Sequence, residues 1–306
     1  MTWTLDDLPD QTGRTALVTG ATGGLGHQVC LALARRGATV VLAARNEDKL
    51  AATARSITDA VPGAEVSRLR VDLADLSDVR RAAGAAVALG PVHLLINNAG
   101  VMATAQQRTI DGLDLQLATN HFGPFLLTCL LLPQLAEAEH GRVVTVSSNA
   151  HRMTRQAPLA EPRLVPARYS RWATYGQSKL ANLLFTYELD RRLRAAGSPV
   201  LATAAHPGYS ATHLLATGQT GGTGGALASI LDATMRATGQ SAAMGALPIL
   251  MAATADVPGG TYCGPAGLGQ WRGLPQIVTS SSLAHDPAAQ AELWRISEAV
   301  TGVRFP

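Results

Sequence analysis

The stretch that decides the fold is Thr15-Ala16-Leu17-Val18-Thr19-Gly20-Ala21-Thr22-Gly23-Gly24-Leu25-Gly26. Its first five residues predict a short buried strand, and an apolar helix is expected from about residue 25 to residue 36. Glycines let the backbone turn tightly and approach a pyrophosphate, which the N–H groups at a helix start can bind. The order strand, glycine turn, helix therefore predicts a nucleotide-binding loop, although a linker or plain turn can have the same composition.

Strands and helices alternate along the rest of the chain. Further strands are predicted at about 39–43, 65–71, 92–96, 142–146, 199–205 and 261–263. Helices are predicted at about 47–60, 76–89, 111–139, 174–195, 241–253 and 287–301. This alternation predicts an α/β, Rossmann-type fold, a doubly wound parallel sheet of about seven strands with helices on both faces. Because there is no internal repeat or linker, we interpret residues 1–306 as a single domain.

The composition indicates a globular protein without nucleic-acid partners. A net charge of +3 and scattered basic residues disfavour nucleic-acid binding. The three cysteines are too widely spaced for a disulfide framework or a usual zinc site, so we expect no metal and a reducing, cytoplasmic location. Residues 1–13 lack the pattern of a secretory signal, and the longest apolar stretch, near 125–132, is too short to cross a bilayer. We therefore expect no membrane partner.

The end of the second predicted strand bears on the choice of cofactor. An acidic residue there would bind the ribose 2′-hydroxyl of NAD. The sequence instead has Ala44-Arg45-Asn46 at that point. Arg45 offers a planar fork to a 2′-phosphate, which predicts NADP(H) in preference to NAD(H). A solvated arginine at a strand end is the alternative.

Small or polar residues also follow other predicted strands. These residues are Asp72-Leu73, Asn97-Asn98-Ala99-Gly100, Ser147-Ser148 and Pro207-Gly208. Because the carboxyl ends of parallel strands meet at one edge of a sheet, we expect them to line a single crevice with the glycine loop. The two asparagines could equally form a plain turn. His206 is a rival candidate for acid–base chemistry, although a histidine before a proline at a strand end is more often structural.

Tyr175 and Lys179 are four residues apart on a predicted helix and so lie on one face of it. Of 25 lysines and arginines in the chain, only Lys49 and Lys179 are lysines. Lysine is a compact point charge with three donors, whereas arginine is a broad fork that would act differently. The pair therefore predicts a tyrosine whose acidity is tuned by an ammonium group. A half-buried aromatic beside a solvated charge is the alternative.

Three further features leave alternatives open. Asn120 lies unfavourably in the middle of the predicted helix 111–139, either for function or as a buried amide that satisfies nearby backbone. Residues 151–172 form an irregular run with three prolines and five arginines. A loop this long is usually functional and could cover a substrate, although a solvated insertion is nearly as plausible. Residues 151–172 are thus one predicted insertion in the substrate region, and a second is predicted near 212–240.

Together these motifs resemble the short-chain dehydrogenase/reductase family over nearly the whole chain. The residues similar to its motifs are Thr19-Gly20-x-x-x-Gly24-x-Gly26, Asn97-Asn98-Ala99-Gly100, Asn120, Ser148, Tyr175-x-x-x-Lys179 and Pro207-Gly208 with Thr212. Within the family, Asn120-His121-Phe122-Gly123-Pro124 and Val146-Ser147-Ser148-Asn149-Ala150-His151 resemble the retinol-dehydrogenase-like branch. That branch also has a long gap between its serine and its tyrosine.

The resemblance implies a catalytic set of Asn120, Ser148, Tyr175 and Lys179. NADPH would deliver a hydride to a carbonyl carbon, while Ser148 holds the oxygen and Tyr175 protonates it. The phenol pKa would have to fall by about three units, roughly 4 kcal/mol, which Lys179 and the oxidised nicotinamide are expected to supply. Asn120 would support a water that relays protons to Lys179. The implied cofactor-binding residues are Gly20, Thr22, Gly24, Leu25, Gly26, Arg45, Asn46, Asp72, Leu73, Asn98, Ala99, Gly100, Tyr175, Lys179, Pro207, Gly208, Ser210 and Thr212.

We therefore expect an NADP(H)-dependent oxidoreductase that acts on the carbonyl or alcohol group of a small or medium apolar molecule. One alternative is reduction of a carbon–carbon double bond conjugated to a carbonyl. Another is a non-catalytic module that senses NADP(H) or binds a protein partner, but such modules usually lack a catalytic residue and none is missing here. Family members often pair through long helices, so a homodimer is compatible with the resemblance.

Overall fold

The computed structural model describes residues 3–209 and 240–305. These residues form one sheet of eight strands in the order β3-β2-β1-β4-β5-β6-β7-β8. The strands are β1 (Thr15–Thr19), β2 (Thr39–Ala44), β3 (Val66–Arg70), β4 (Leu94–Asn97), β5 (Arg142–Val146), β6 (Leu201–Ala205), β7 (Tyr262–Pro265) and β8 (Pro275–Ile277). The first seven pair in parallel, and β8 pairs with β7 antiparallel. The predicted fold class is confirmed, with one strand more than expected.

Helices cover both faces of the sheet. They are α1 (Gly24–Arg35), α2 (Glu47–Ala60), α3 (Leu76–Val87), α4 (Gly123–Glu137), α5 (Arg171–Ala195), α6 (Ala242–Thr254) and α7 (Pro287–Thr301). One apolar cluster joins α3, α4, α5 and α7 to the sheet, and a second joins α1, α2 and α6 to the opposite face. Alternation along β1 divides its residues between the two clusters: Leu17 lies in the first, and Ala16 and Val18 lie in the second.

The predicted helix 111–139 begins four residues later than expected, and a π-helical turn interrupts its first half. The Asp114 side chain accepts hydrogen bonds from the Gln116 and Leu117 N–H groups, so the helical stretch begins only there. A π-helical turn, Ala118–Phe122, follows before α4 begins at Gly123. Helix α5 starts at Arg171, earlier than expected, because Ser170 caps it. The one-domain interpretation stays a prediction, although the described residues share one sheet.

Among the described residues, the stretch Leu115–Glu137 is long and apolar enough to cross a membrane by length and composition alone. It is therefore longer than the apolar run predicted from the sequence near 125–132. Of its most apolar window, 78% is buried inside the protein, and the core helix of a globular protein meets the same criterion.

Candidate active site

The glycine loop and the end of β4 pack with almost no space between them. Gly20 has a φ of +66°, and a Cβ added there would lie 2.8 Å from the Ala99 Cα. A Cβ on Gly26 would lie 2.3 Å from the Gly20 carbonyl oxygen. Only glycine fits either position without a backbone shift. The shape of the predicted loop at residues 20–26 therefore requires glycine at positions 20 and 26.

Asn98 and Thr19 form hydrogen bonds that join the carboxyl ends of β1 and β4. The Asn98 Nδ2 donates to the Thr19 carbonyl oxygen at 2.8 Å. The Thr19 hydroxyl accepts from the backbone N–H groups of Asn98 and Ala99, both at 3.0 Å. Asn97 instead donates through Nδ2 to the Thr128 hydroxyl at 2.9 Å. The asparagines therefore do more than form a plain turn, since they fix the crevice floor beside the glycine loop.

The start of α1 fits a dinucleotide phosphate. Within the described residues, no side chain caps this helix, whose N-cap is the extended Gly23. A Cβ on Gly23 would meet no atom of residues 3–209 or 240–305 within 4 Å, so these residues leave space beside the start of the helix. Uncapped N–H groups at a helix start are suited to an anion. Thr22 is half-buried and Leu25 is buried at the same turn, and Gly24 has a φ of +52°.

The residues predicted at the adenosine end lie at the carboxyl ends of β2 and β3. Arg45 is exposed, and in the described part of the chain its guanidinium has no hydrogen bond or ion pair. The Asn46 Oδ1 caps α2 by accepting from the Lys49 N–H at 2.8 Å. The Asp72 Oδ1 accepts from the Ala74 N–H at 2.9 Å. Asn46 and Asp72 thus have local structural roles that the sequence analysis missed, and Arg45 is the free cation of this group.

Leu73 and Gly100 are sites of close backbone approach. A Cβ on Gly123, at the start of α4, would lie 2.2 Å from the Leu73 carbonyl oxygen. A Cβ on Gly100 would lie 3.1 Å from the Asn120 Oδ1 and 3.3 Å from the Lys179 Nζ. Gly100 therefore brings the end of β4 within reach of two of the predicted catalytic side chains.

The structure brings the four predicted catalytic residues together. Tyr175 is 6% exposed, and the Ser148 side chain is near enough to its hydroxyl to lower the pKa of the phenol. The Lys179 Nζ lies 5.8 Å from the centre of the Tyr175 ring and donates to the Val146 carbonyl oxygen at 3.1 Å. Tyrosine and lysine share a face of α5, as their spacing predicted, and Ser148 faces them from the end of β5. The ammonium is held by backbone and not by the phenol oxygen.

The π-helical turn gives Asn120 its place beside this group. Its Oδ1 accepts from the Val101 N–H at 2.8 Å, and its Nδ2 donates to the Val101 carbonyl oxygen and the Ser178 hydroxyl, both at 2.9 Å. The extra residue in a π turn re-aims side chains locally, and such turns are frequent at functional sites. The Asn120 amide therefore satisfies nearby backbone, which was one of the two alternatives predicted for it. It also lies beside the other three predicted catalytic residues.

Burial shifts the pKa values of Tyr175 and Lys179. It raises the pKa of Tyr175 to about 12, and the Ser148 side chain only partly opposes it. Burial lowers the pKa of Lys179 to about 8. The lowered tyrosine pKa expected from the sequence depends on the oxidised nicotinamide as well as on Lys179, so it stays a prediction for the loaded enzyme. The phenol is protonated near neutral pH, the form that a general acid requires.

Asn182 is a neighbour of this group that the sequence analysis missed. It lies on α5 three residues after Lys179, and its Nδ2 donates to the same Val146 carbonyl oxygen at 3.0 Å. Its Oδ1 is buried and has no hydrogen-bond partner among residues 3–209 and 240–305. The i, i+3 spacing from Lys179 was the signal that could have identified it.

The turn after β6 comes close to the loop that joins β7 to β8. Gly208 has a φ of +66°, and a Cβ there would lie 2.4 Å from the Trp271 carbonyl oxygen. The Pro207 carbonyl oxygen accepts from the Gln240 Nε2 at 2.6 Å. Ser210, Thr212 and the predicted insertion 212–240, except Gln240, lie outside the described residues.

The insertion 151–172 packs on the segment between β4 and α4. The Arg108 Nη1 donates to the Pro162 carbonyl oxygen at 3.0 Å, and the Gln116 Nε2 donates to the Tyr169 hydroxyl at 2.8 Å. At its end, the Trp172 ring meets the Tyr175 ring edge-on, with centroids 6.3 Å apart. The insertion is thus anchored beside the tyrosine and is not merely solvated.

Comparisons with known proteins agree with this arrangement. A family model described as short chain dehydrogenase matches residues 14–160. Polyprenol dehydrogenase from Danio rerio is 34% identical over 98% of this chain and 90% of that protein. Retinol dehydrogenase 13 from Homo sapiens is 41% identical over 66% of this chain, and the chain spans 60% to 65% of the length of several such curated relatives. A crystal structure of an uncharacterized protein from Mycobacterium Paratuberculosis is 43% identical with a TM-score of 0.81, covering 100% of both chains.

Proposed function

This chain belongs to the short chain dehydrogenase family of oxidoreductases, and on that premise we propose that it uses NADP(H) to interconvert a carbonyl and an alcohol on a small or medium apolar substrate. The observation that carries the proposal is the position of buried Tyr175 between Ser148 and Lys179, whose Nζ lies 5.8 Å from the centre of the tyrosine ring. The names of the relatives, which include retinol and polyprenol dehydrogenases, make apolar alcohols and their aldehydes the first substrates to test. The three free, buried cysteines support a cytoplasmic location.

The proposed mechanism assigns each step to a side chain of this protein. When bound, the nicotinamide supplies a hydride to the carbonyl carbon or accepts one from the alcohol. The Ser148 hydroxyl holds the substrate oxygen, and the Tyr175 hydroxyl gives that oxygen its proton in reduction and removes it in oxidation. The Lys179 ammonium stabilises the phenolate left after reduction, and water near Asn120 restores the proton.

The test is NADPH oxidation with a panel of apolar aldehydes and ketones, including retinal and a short isoprenoid aldehyde. We expect Tyr175→Phe to lower kcat by about 10²- to 10⁴-fold, the usual contribution of a positioned acid. Tyr187→Phe is the matched control, since Tyr187 also lies on α5 but bonds to Ser280. Full activity in Tyr175→Phe would contradict the mechanism.

The products of the same assay decide between the two reductions that the family chemistry allows. A conjugated enal should give the allylic alcohol if the carbonyl is reduced. A saturated aldehyde would show that the double bond is the site of hydride transfer. NADPH binding without turnover of any member of the panel would favour a non-catalytic module.

The direction of the reaction should set its pH dependence. The Tyr175 pKa of about 12 keeps the phenol protonated, so kcat for reduction should change little from about pH 6 to pH 9. Oxidation needs the phenolate, so its kcat should rise by up to about tenfold per pH unit until the tyrosine pKa of the loaded enzyme is reached. A pH-independent oxidation rate would contradict Tyr175 as the base.

A further inference from the structure

Two histidines without exposed surface lie behind the candidate site. His151 belongs to the short 3₁₀ turn Asn149–Met153 after β5, and His206 directly follows β6. Both rings contact the ring of Tyr262 on β7, with centroid distances of 5.9 Å and 5.2 Å. The two imidazoles are called the histidine pair below. The mechanism above uses neither of them.

Hydrogen bonds fix His151 as one neutral tautomer. The Ser281 backbone N–H donates to its Nε2 at 3.1 Å. Because a backbone N–H can only donate, this nitrogen is the acceptor and the ring proton is on Nδ1. The Nδ1–H in turn donates to the Ser148 carbonyl oxygen at 2.6 Å. His151 therefore holds the backbone of the residue whose hydroxyl meets Tyr175.

His206 is fixed as the opposite tautomer. The Gly208 N–H donates to its Nδ1 at 3.2 Å, so the ring proton is on Nε2. That Nε2–H donates to the Gln270 Oε1 at 3.1 Å. A Cβ on Gly264 would lie 2.1 Å from this nitrogen, so the glycine leaves room for the ring. Both nitrogens are engaged in a closed site, which removes His206 as an acid–base candidate.

Burial favours the neutral form of both rings. It lowers the pKa of His151 to about 4 and of His206 to about 3, and the charge of Arg152 acts in the same direction on each. The other titratable neighbours of the pair are Tyr262 and, against Tyr262, Tyr175 and Tyr187. No carboxylate acts on either histidine within the described part of the chain, so both stay neutral at physiological pH.

The β7–β8 loop, residues 266–274, joins the two histidine-bearing segments. The Asn149 Nδ2 donates to the carbonyl oxygens of Gly269 and Gln270, at 3.1 Å and 3.2 Å. The same Gln270 accepts from His206 through its side chain and has a φ of +58°, a strained conformation for a residue with a Cβ. Strain of this kind persists only where surrounding contacts over-determine the backbone.

We propose that the histidine pair positions the active site: His151 aims the Ser148 hydroxyl, and His206 holds the Pro207–Gly208 turn against the cofactor. The proposal rests on the function proposed above. The two histidines act through other residues, so each should affect a different kinetic constant. His151 should affect kcat, and His206 should affect cofactor affinity.

Two substitutions at His151 distinguish the roles of its two ring nitrogens. His151→Asn places an amide near Nδ1 and can still donate to the Ser148 carbonyl oxygen, whereas His151→Gln reaches the Nε2 position and leaves that oxygen only the His151 backbone N–H as a donor. We expect kcat to fall by roughly 10- to 100-fold in His151→Gln and less than about threefold in His151→Asn, with KM for NADPH unchanged in both. Equal losses of kcat in the two variants would overturn the assignment, and equal melting temperatures would exclude unequal folding as the cause.

The same logic applies to His206 with a readout that needs no turnover. His206→Asn can keep an acceptor for the Gly208 N–H, whereas His206→Gln cannot. Titration of nicotinamide fluorescence should show about tenfold weaker NADPH binding in His206→Gln and near-normal binding in His206→Asn. Unchanged affinity in His206→Gln would overturn this half of the proposal.

Nitrogen-15 NMR of the full chain labelled at histidine tests the pair independently of any activity. We expect two neutral rings of opposite tautomer near neutral pH, with protonated Nδ1 in His151 and protonated Nε2 in His206. The assignment uses the His151→Asn and His206→Asn spectra. A cationic ring or two identical tautomers would overturn the proposal. Correct tautomers in a protein without turnover would instead count against the proposed function alone.

Discussion

Different kinds of contact hold the two sides of the crevice. One is the glycine-loop side, and the other is the insertion 151–172, which we propose faces the substrate and which is called the substrate side below. On the first, Gly20 and Gly26 bring backbone against backbone, and an added Cβ would overlap main-chain atoms. On the second, the insertion 151–172 is anchored through long side chains such as Arg108 and Gln116. It also leaves large apolar side chains exposed, among them Met153 at 71% and Leu164 at 67%. A loop packed backbone against backbone tolerates little change, whereas a segment anchored through side chains can vary with the substrate.

The largest effect should come from adding a methyl group on the glycine-loop side. Gly26→Ala places a carbon 2.3 Å from the Gly20 carbonyl oxygen, so the backbone must shift. We expect a loss of about 1–3 kcal/mol in the free energy of unfolding and a loss of NADPH binding of about 100-fold or more. Urea unfolding and fluorescence titration measure the two effects.

Gly23→Ala is the matched control for that variant. Gly23 is extended, with a φ of −175°, and an added Cβ meets no atom of the described residues within 4 Å. The free energy of unfolding should therefore stay within about 0.5 kcal/mol of the wild type. NADPH binding should still weaken, because the methyl group enters the space assigned to the phosphates. Normal binding in Gly23→Ala would place the phosphates elsewhere.

A smaller effect on the same side should come from Arg45→Ala. A charge-assisted hydrogen bond to the 2′-phosphate is worth about 1.5–3 kcal/mol, so NADPH affinity should fall by at least about tenfold while NADH affinity stays unchanged. Arg55→Ala is the control, since Arg55 is also exposed and lies on α2. Equal affinities for NADPH and NADH in the wild type would contradict the assignment of Arg45.

The same contrast explains which features could be predicted from the sequence. The bounds of β1, α2 and α7 follow from local signals, such as the caps Asn46 and Asp286. Strand β8 was missed because three residues carry no pattern and its pairing with β7 is a tertiary contact. The π-helical turn was missed for a similar reason, since the bonds of Asn120 to Val101 span 19 residues. The raised pKa of Tyr175 depends on burial, which residue spacing does not reveal.

The smallest effect on ligand binding should be found on the substrate side, with Gln116→Ala. Gln116 is fully buried; its Oε1 accepts from the Ala103 N–H, and its Nε2 donates to the Tyr169 hydroxyl and the Arg171 carbonyl oxygen. Truncation leaves these partners without their hydrogen bonds, so we expect a loss of about 1–3 kcal/mol in the free energy of unfolding. Because Arg171 starts the helix that carries Tyr175, the substrate KM should rise by a few fold.

The affinity of Gln116→Ala for NADPH tests whether the glycine-loop side and the substrate side are independent. Among the described residues, the side-chain hydrogen bonds of Gln116 reach Ala103, the insertion and the start of α5 and not the glycine loop, so the Kd for NADPH should not change. Gln134→Ala on α4 is the control, because the Gln134 side-chain oxygen is buried and has no hydrogen-bond partner in the part of the chain that the structure describes. A parallel loss of NADPH affinity in Gln116→Ala would show that the insertion and the cofactor side are coupled through α5, and the division between the two sides would then be wrong.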